Sequence, residues 1–462
     1  MRLNRAAAAA TICIGSVSGL KVDVESDDSI KETAATIANG LLSYYKGNYS
    51  GGTPGVLPEP YYWWEAGAMF GTLIDYWYMT GDSTYNDLTM EAIIHQFAPK
   101  GDFMPANQTL AMGNDDQGFW AMTAMMAAEN VFPNPPTDKT QYLAAVQAVF
   151  NEFAARWNDE GEICDGGLRW QVYSWRDEYY YKNTIANGCF FNIASRLARF
   201  TGNSTYGEWA SKIWDWEVLQ GLITDDYIVW DGIDNIKGTD RCETIHITQW
   251  TYNTGIFMHG AAVMYNITED DKWKARVDGL LNNTQHVFIK ENVPYEQQCE
   301  ASGTCNIDQE TFKGYLLRSL AATTQLAPWT YKEISTIFSN AAVAASAACT
   351  GPTSDRFSGI DGTACGFTWV PKGTFDGLVG VGPQMNALCA VMYNLVKRVK
   401  PPATTDNRGT SKGNPNGGQS DTEALPNRLR DITMADKAGA GIVTVLLVGA
   451  IVAGCVFVAL EP

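Results

Sequence analysis

The sequence predicts an all-α fold, an (α/α)6 toroid built from about six helical hairpins. Three observations carry this. Helical periodicity recurs along the body, the breaks between helices alternate between short and long, and the short breaks resemble one another. "YMTGDSTYNDL" at 78–88 and "RFTGNSTYGEW" at 199–209 are nearly the same turn. Gly81 and Gly202 can end a helix in the left-handed conformation, and Asp82/Ser83 or Asn203/Ser204 can cap the next. "YNITEDDKW" at 265–273 and "LAPWTYKEI" at 326–334 read as worn copies, and "ENVFPNPPTDKTQYL" at 129–143 as a Pro-rich version.

Taken in order, the periodicity places helices near 30–46, 61–80, 83–97, 115–130, 138–157 and 179–201. Six more follow near 204–219, 246–266, 270–289, 307–327, 330–347 and 383–398. The long breaks cover 47–60, 98–113, 158–178, 220–245, 290–306 and 348–382, with a short β segment expected in "YIVW". Helices after long breaks are the more apolar and aromatic, as in "YYWWEAGAMFGTLI" and "TQWTYNTGIFMHGAAVMY". A helix that is apolar all round is buried, so these should form the inner ring, with their N-termini and all the long loops on one rim.

The ends are processing signals, not fold. "MRLNRAAAAATICIGSVSGL" pairs Arg2 and Arg5 with a short apolar stretch and small residues, which reads as a secretory signal peptide over 1–19. Ala438 to Leu460 is almost wholly apolar and long enough to span a bilayer. The small polar residues upstream suit a GPI-attachment signal over 438–462 better, with a plain membrane anchor as the rival. Residues 399–437 read as a disordered polar linker, with attachment expected between Asn414 and Asp421. The toroid then occupies 20–398.

Of 10 Cys, Cys13 falls in the leader and Cys455 in the tail. The other eight form an even set in an exported chain, which reads as disulfides. Six of them lie in the long loops, where they would staple one rim; Cys189 and Cys389 lie in inner helices. Sequons at Asn48, Asn107, Asn203, Asn266 and Asn282 agree with export. The net charge of −18 excludes nucleic acid as a partner, because binding it requires basic surface. Metal and cofactor are not expected: there is no H-E-x-x-H, and His95, His246, His259 and His286 do not cluster.

The chemistry is expected at "AMGNDDQGFW". Asp115 and Asp116 open an inner helix at the loop rim, whereas Asp27-Asp28 lie in a frayed start and Asp270-Asp271 in a short turn on the opposite rim. Asp225-Asp226, in a long loop, is a second candidate. An acidic pair at a helix start ordinarily caps it and answers its dipole. Here Asn114 is available as the cap, and Trp63, Trp64, Phe119, Trp120 and Trp170 can share the rim. Neighbouring carboxyls suit the roughly 5–5.5 Å separation of retaining glycosidases better than the wider inverting spacing. Their mutual repulsion should raise one pKa, giving a proton donor beside a nucleophile.

Four segments carry a resemblance: "GNDDQGFWAM", "GGLRWQVYSWRDEYYYKNTIANG", "WTYNTGIFMHGAAVMY" and "DQETFKGYLLRSLA". Together, and in this order, they resemble glycoside hydrolase family 76, the endo-α-1,6-mannanases, and most of all its fungal GPI-anchored branch involved in cell-wall biogenesis. The resemblance implies a retaining mannosidase on an (α/α)6 toroid, with Asp115 as nucleophile and Asp116 as general acid/base. It also implies that Arg169, Trp170, Asn183, Asn187, Tyr252 and Asn253 line the sugar cleft. Buried helix–helix hydrogen bonding is an equal reading of Asn187 and Asn253. Trp64 and Trp120 are candidate stacking platforms, and Lys313 is either a ligand residue or a snorkelling side chain. The expected substrate is α-1,6-mannan or the mannose core of GPI glycans at the cell surface, with β-glucan as an acceptor if the enzyme transfers rather than hydrolyses. The alternative is a non-catalytic glycan-binding wall protein on the same toroid.

Overall fold

The computed structural model describes residues 19–371 and 375–418, together with five single positions, 434, 437, 444, 448 and 449. The expected leader therefore lies outside the described residues apart from its last position. The expected C-terminal signal lies outside them apart from three isolated positions. The chain divides into a body ending at Gly418 and a second unit from Gln419.

The body contains twelve α-helices among the described residues. They are α1 (Asp27–Leu42), α2 (Trp63–Thr80), α3 (Asn86–His95), α4 (Asn114–Glu129), α5 (Tyr142–Asp159) and α6 (Thr184–Thr201). Then follow α7 (Ser204–Leu219), α8 (Thr251–Thr268), α9 (Asp271–Val287), α10 (Phe312–Leu326), α11 (Tyr331–Ala348) and α12 (Val381–Met392). The even-numbered helices pack in the cyclic order α2, α4, α6, α8, α10, α12 and back to α2, which closes an inner ring. They are buried along almost their whole length, as their lack of a polar face requires. The odd-numbered helices form the outer layer and bury one stripe each.

Gly81 and Gly202 sit at φ 79° and 71°, ending α2 and α6 in the left-handed conformation that a side chain would disfavour. Asn203 caps α7 by accepting from the Thr205 N–H, as expected. The matching turn after α2 differs: Asp82 accepts from Thr84, and α3 begins only at Asn86.

The long loops carry the β structure. Strands β1 (Tyr181–Asn183), β2 (Gly232–Asn235) and β3 (Cys242–His246) make an antiparallel sheet at the mouth of the ring. "YIVW" is not a strand: within it only Val229 makes an isolated bridge, to Ile223. Disulfides join Cys164 to Cys242, Cys299 to Cys305 and Cys349 to Cys365, all on the loop rim. Cys189 and Cys389 remain buried thiols, so the reading of all eight as disulfides is corrected. Each projects into helix–helix packing, away from the loops that hold the other six.

The expected linker is also corrected in part. Residues 399–418 run as a strap across the short-turn side of the body. The Ala403 and Thr405 N–H groups donate to Glu129 O and Phe200 O at 2.8 and 2.9 Å, satisfying carbonyls that the last turns of α4 and α6 leave without helical partners. Further along, Ser411 Oγ accepts the Leu143 N–H at the start of α5, and Asn414 N–H donates to Gln147 Oε1 at 2.6 Å. Polar composition signalled disorder, but these contacts are hydrogen bonds made by backbone groups and polar side chains, and need no apolar side chain.

Candidate active site

The α4 helix starts at the loop rim with Gly113 as its N-cap, and a Cβ there would come 2.3 Å from Asp115 Oδ1. The Gly113 N–H donates to Asp116 Oδ2 at 2.6 Å. Asn114, expected as the cap, is engaged elsewhere: Nδ2 donates to Arg169 O at 2.8 Å, and Oδ1 accepts from Arg156 Nη1 at 2.6 Å. Capping therefore falls to Asp116 itself, because the N-terminal N–H groups need an acceptor.

Asp115 faces the other way. Its Oδ2 accepts the Trp170 indole N–H at 2.9 Å and its Oδ1 the backbone N–H of Asp116 at 3.1 Å. Both carboxyls are partly exposed, and among the described residues no Lys or Arg forms an ion pair with either. Burial first, and the charge of Asp116 second, push Asp115 well above the usual carboxylate range. Burial raises Asp116 to about 7; the Gly113 N–H and the distant Arg176 oppose this, while the charge of Asp308 adds to it. Two adjacent carboxyls in such a setting retain a proton near neutrality. Among the described residues two donors, the Trp170 indole and the Asp116 N–H, aim at Asp115 against the single Gly113 N–H on Asp116. This geometry opposes the upward push that burial and Asp116 give Asp115, and favours Asp115 as the charged partner and Asp116 as the acid.

The walls come from α2, α8 and α10. Trp64 donates its indole N–H to Asp308 Oδ1 at 2.8 Å and packs on Phe119, one turn along α4 from the pair. Tyr252 stacks on Phe312 with ring centroids 3.7 Å apart. Asp231 accepts the Tyr181 hydroxyl, and its charge, like that of Asp115 and Asp308, acts on Tyr252. Asp231 and Asp308 were missed by the sequence reading. Neither lies in an acidic pair, and Asp308 opens a motif, "DQETF", whose later residues drew attention instead. Trp175, 47% exposed and stacked on Tyr173, is an aromatic face that the rim offers to solvent.

Several expected sugar contacts have other duties. Trp120 is fully buried between Trp63 and Phe103 and donates to Trp63 O, so it is core. Trp64 is buried too, and its indole N–H serves Asp308, so it is not an open platform. Arg169 is buried against Glu160 at 2.7 Å and over the Tyr179 ring. Asn183 caps α6 by accepting the Ala186 N–H, and Asn187 clamps both backbone groups of Leu168. Asn253 is 1% exposed, and neither polar atom of its side chain has a hydrogen-bond partner. Lys313 neither binds nor snorkels: it is sealed against Glu300, Phe367 O and the rings of Phe367 and Trp369. Of the expected set, Asp115, Asp116, Trp170 and Tyr252 come together at the mouth. Asp225 and Asp226 lie elsewhere, as the central residues of the Thr224–Tyr227 turn in a long loop.

The family model for Glycosyl hydrolase family 76 matches residues 29–406. The chain belongs to this family. It is similar to mannan endo-1,6-alpha-mannosidase DCW1 of Saccharomyces cerevisiae, 43% identical over 94% of each chain. It is also similar to DFG5 of the same yeast, a protein of the same description, at 41% identity over 95% of this chain and 94% of that one. Among solved structures it resembles Dfg5 from Chaetomium thermophilum, determined in complex with glucosamine, with a TM-score of 0.80 and 45% identity over 86% of this chain and 97% of that chain. A family-76 α-1,6-mannanase from a Salegentibacter species shares the fold at a TM-score of 0.60 and 18% identity, over 79% of this chain and 98% of that one. This family-76 chain is a glycoside hydrolase on an (α/α)6 toroid.

Proposed function

We propose that the protein cleaves α-1,6-mannosidic bonds with retention, acting on α-1,6-mannan or on the mannose core of GPI glycans. The observation that carries this is the unequal pair at the mouth: among the described residues Asp115 accepts from both the Trp170 indole and the Asp116 N–H, while Asp116 accepts only from the Gly113 N–H. In the first step an Asp115 oxygen bonds to the anomeric carbon as the glycosidic C–O bond breaks, and Asp116 gives its proton to the departing oxygen. In the second step Asp116, now a carboxylate, takes a proton from water or from a sugar hydroxyl. The oxygen so activated displaces Asp115. A water acceptor gives hydrolysis. A glucan hydroxyl gives transfer.

The description of the yeast relatives as mannan endo-1,6-alpha-mannosidases, at this identity and coverage, supports the substrate class. The leader-like and tail-like stretches support a site of action at the cell surface, with the protein held to the membrane through a GPI anchor. The test incubates the purified body with α-1,6-mannan, with Asp115→Asn and Asp116→Asn beside it, and follows the product anomer from the first turnover by NMR. Retained configuration in the parent and loss of turnover in both variants are expected. Inverted product, or full activity in either variant, would sink the assignment.

A further inference from the structure

Arg169, Asn187 and Lys182 are buried away from the mouth, yet they converge on one irregular loop, residues 163–172. Lys182 Nζ donates to the carbonyls of Ile163, Gly166 and Gly167 at 3.0, 2.5 and 3.2 Å. Asn187 takes Leu168 N–H at 2.8 Å and gives Nδ2–H to Leu168 O at 3.0 Å. The Arg169 guanidinium is held by Glu160 and by Tyr179 O, and the Cys164–Cys242 bond ties the loop's start to β3. Asn114 then zips the loop to the cap of α4, its N–H donating to Trp170 O and its Nδ2 to Arg169 O, both at 2.8 Å. Trp170 N–H donates to Tyr181 O at 2.7 Å.

Loops ordinarily leave such groups to water. Here buried cations and amides satisfy them instead, and the result is one side chain held in one place: Trp170, whose indole N–H meets Asp115 Oδ2 at 2.9 Å. We propose that loop 163–172 is a brace and that Trp170 is a positioning residue, orienting the Asp115 carboxylate and giving it the nucleophile's part in the pair. This rests on the reading of Asp115 as nucleophile.

An indole suits the task. Its N–H cannot titrate, and it acts on one oxygen of one carboxylate. A Lys or Arg in its place would lower both carboxyls through its charge and strip Asp116 of the proton it must donate. The other titratable groups acting with Asp115 are acids: Asp116 on α4, Cys189 on α6 and Tyr252 on α8. Among the described residues Trp170 is the side chain that donates a hydrogen bond to it.

The experiment compares Trp170→Phe and Trp170→His with the parent on α-1,6-mannotetraose, measuring kcat, KM and the pH profile, with thermal melts as a control on folding. Loss of the N–H should lower kcat about 10- to 100-fold, because a charge-assisted hydrogen bond is lost. KM should stay within about twofold, and the acid limb of kcat/KM should move up by about one pH unit. Trp170→His restores a donor and should recover part of kcat. Raised KM with kcat and acid limb unchanged would make Trp170 a sugar platform and overturn the proposal, as would no change at all. If Trp170→Phe melts early, β-(3-benzothienyl)alanine at 170, bicyclic but without an N–H, is read the same way. Quenching the parent with a 5-fluoro-mannosyl fluoride separates the two readings. An adduct on a residue other than Asp115 removes the nucleophile assignment and this proposal with it; an adduct on Asp115 beside an unaltered Trp170→Phe removes the proposal alone.

Discussion

Lys182 lies 3.0 Å from Glu160 Oε2 with its ammonium shut off from solvent, and the other oxygen of Glu160 receives the Arg169 Nε–H at 2.7 Å. One carboxylate thus holds two cations, each of which also serves backbone carbonyls of the mouth loops. A buried charge is tolerable only when its donors are matched in this way.

Lys182→Met should therefore cost about 3–5 kcal/mol, since it leaves three buried loop carbonyls without their donor and Glu160 with Arg169 alone. Urea denaturation measures the loss. The same variant should lower kcat at temperatures where it is still folded, because the loop that carries Trp170 slackens.

Asp116 separates stability from activity. Burial raises its folded titration to about 7 from an ordinary value of 3.8. Its contribution is thus fully present below about 3.8 and is lost as pH rises through about 7, where the ion must sit in a poorly solvated place. Asp116→Asn removes that cost and can still accept the Gly113 N–H. Thermal melts at pH 8 should show the variant more stable by about 1–2 kcal/mol, with the gain vanishing near pH 4. Turnover should fall about 100- to 1,000-fold, as expected for loss of a general acid.

Asp308 raises Asp116 by like charge. Asp308→Asn keeps an oxygen for the Trp64 N–H and removes the charge. Asp116 should then lose its proton at lower pH, so the alkaline limb of the kcat/KM profile should move down while the acid limb stays. A pH series on mannan reads this directly.

The strap should matter to the body. Ending the chain at 398 instead of 418 uncovers Glu129 O, Phe200 O and the start of α5. A fall in Tm of several degrees is expected, from several lost hydrogen bonds at about 1 kcal/mol each. Calorimetry on the two lengths checks it.

The twelve helices were legible because periodicity and turn chemistry are local. An apolar-all-round stretch must be covered, and a Gly after a helix ends it, whatever surrounds them, so the inner ring and the turns at Gly81 and Gly202 could be read residue by residue. Asp115 and Asp116 were legible as a pair for the same reason, being adjacent. Their unequal surroundings were not. Trp170 stands 55 residues away in sequence and reaches Asp115 only because buried Lys182, Arg169 and Asn187 fold its loop onto α4. The same motif residues read as sugar ligands, since composition cannot tell an amide that touches substrate from one that clamps a backbone. The polar strap read as linker because hydrogen bonds to helix ends leave no mark on hydrophobicity. Local pattern settles which elements form; which polar groups meet across the toroid depends on long-range packing, where burial makes each unmatched donor or charge costly enough to dictate its partner.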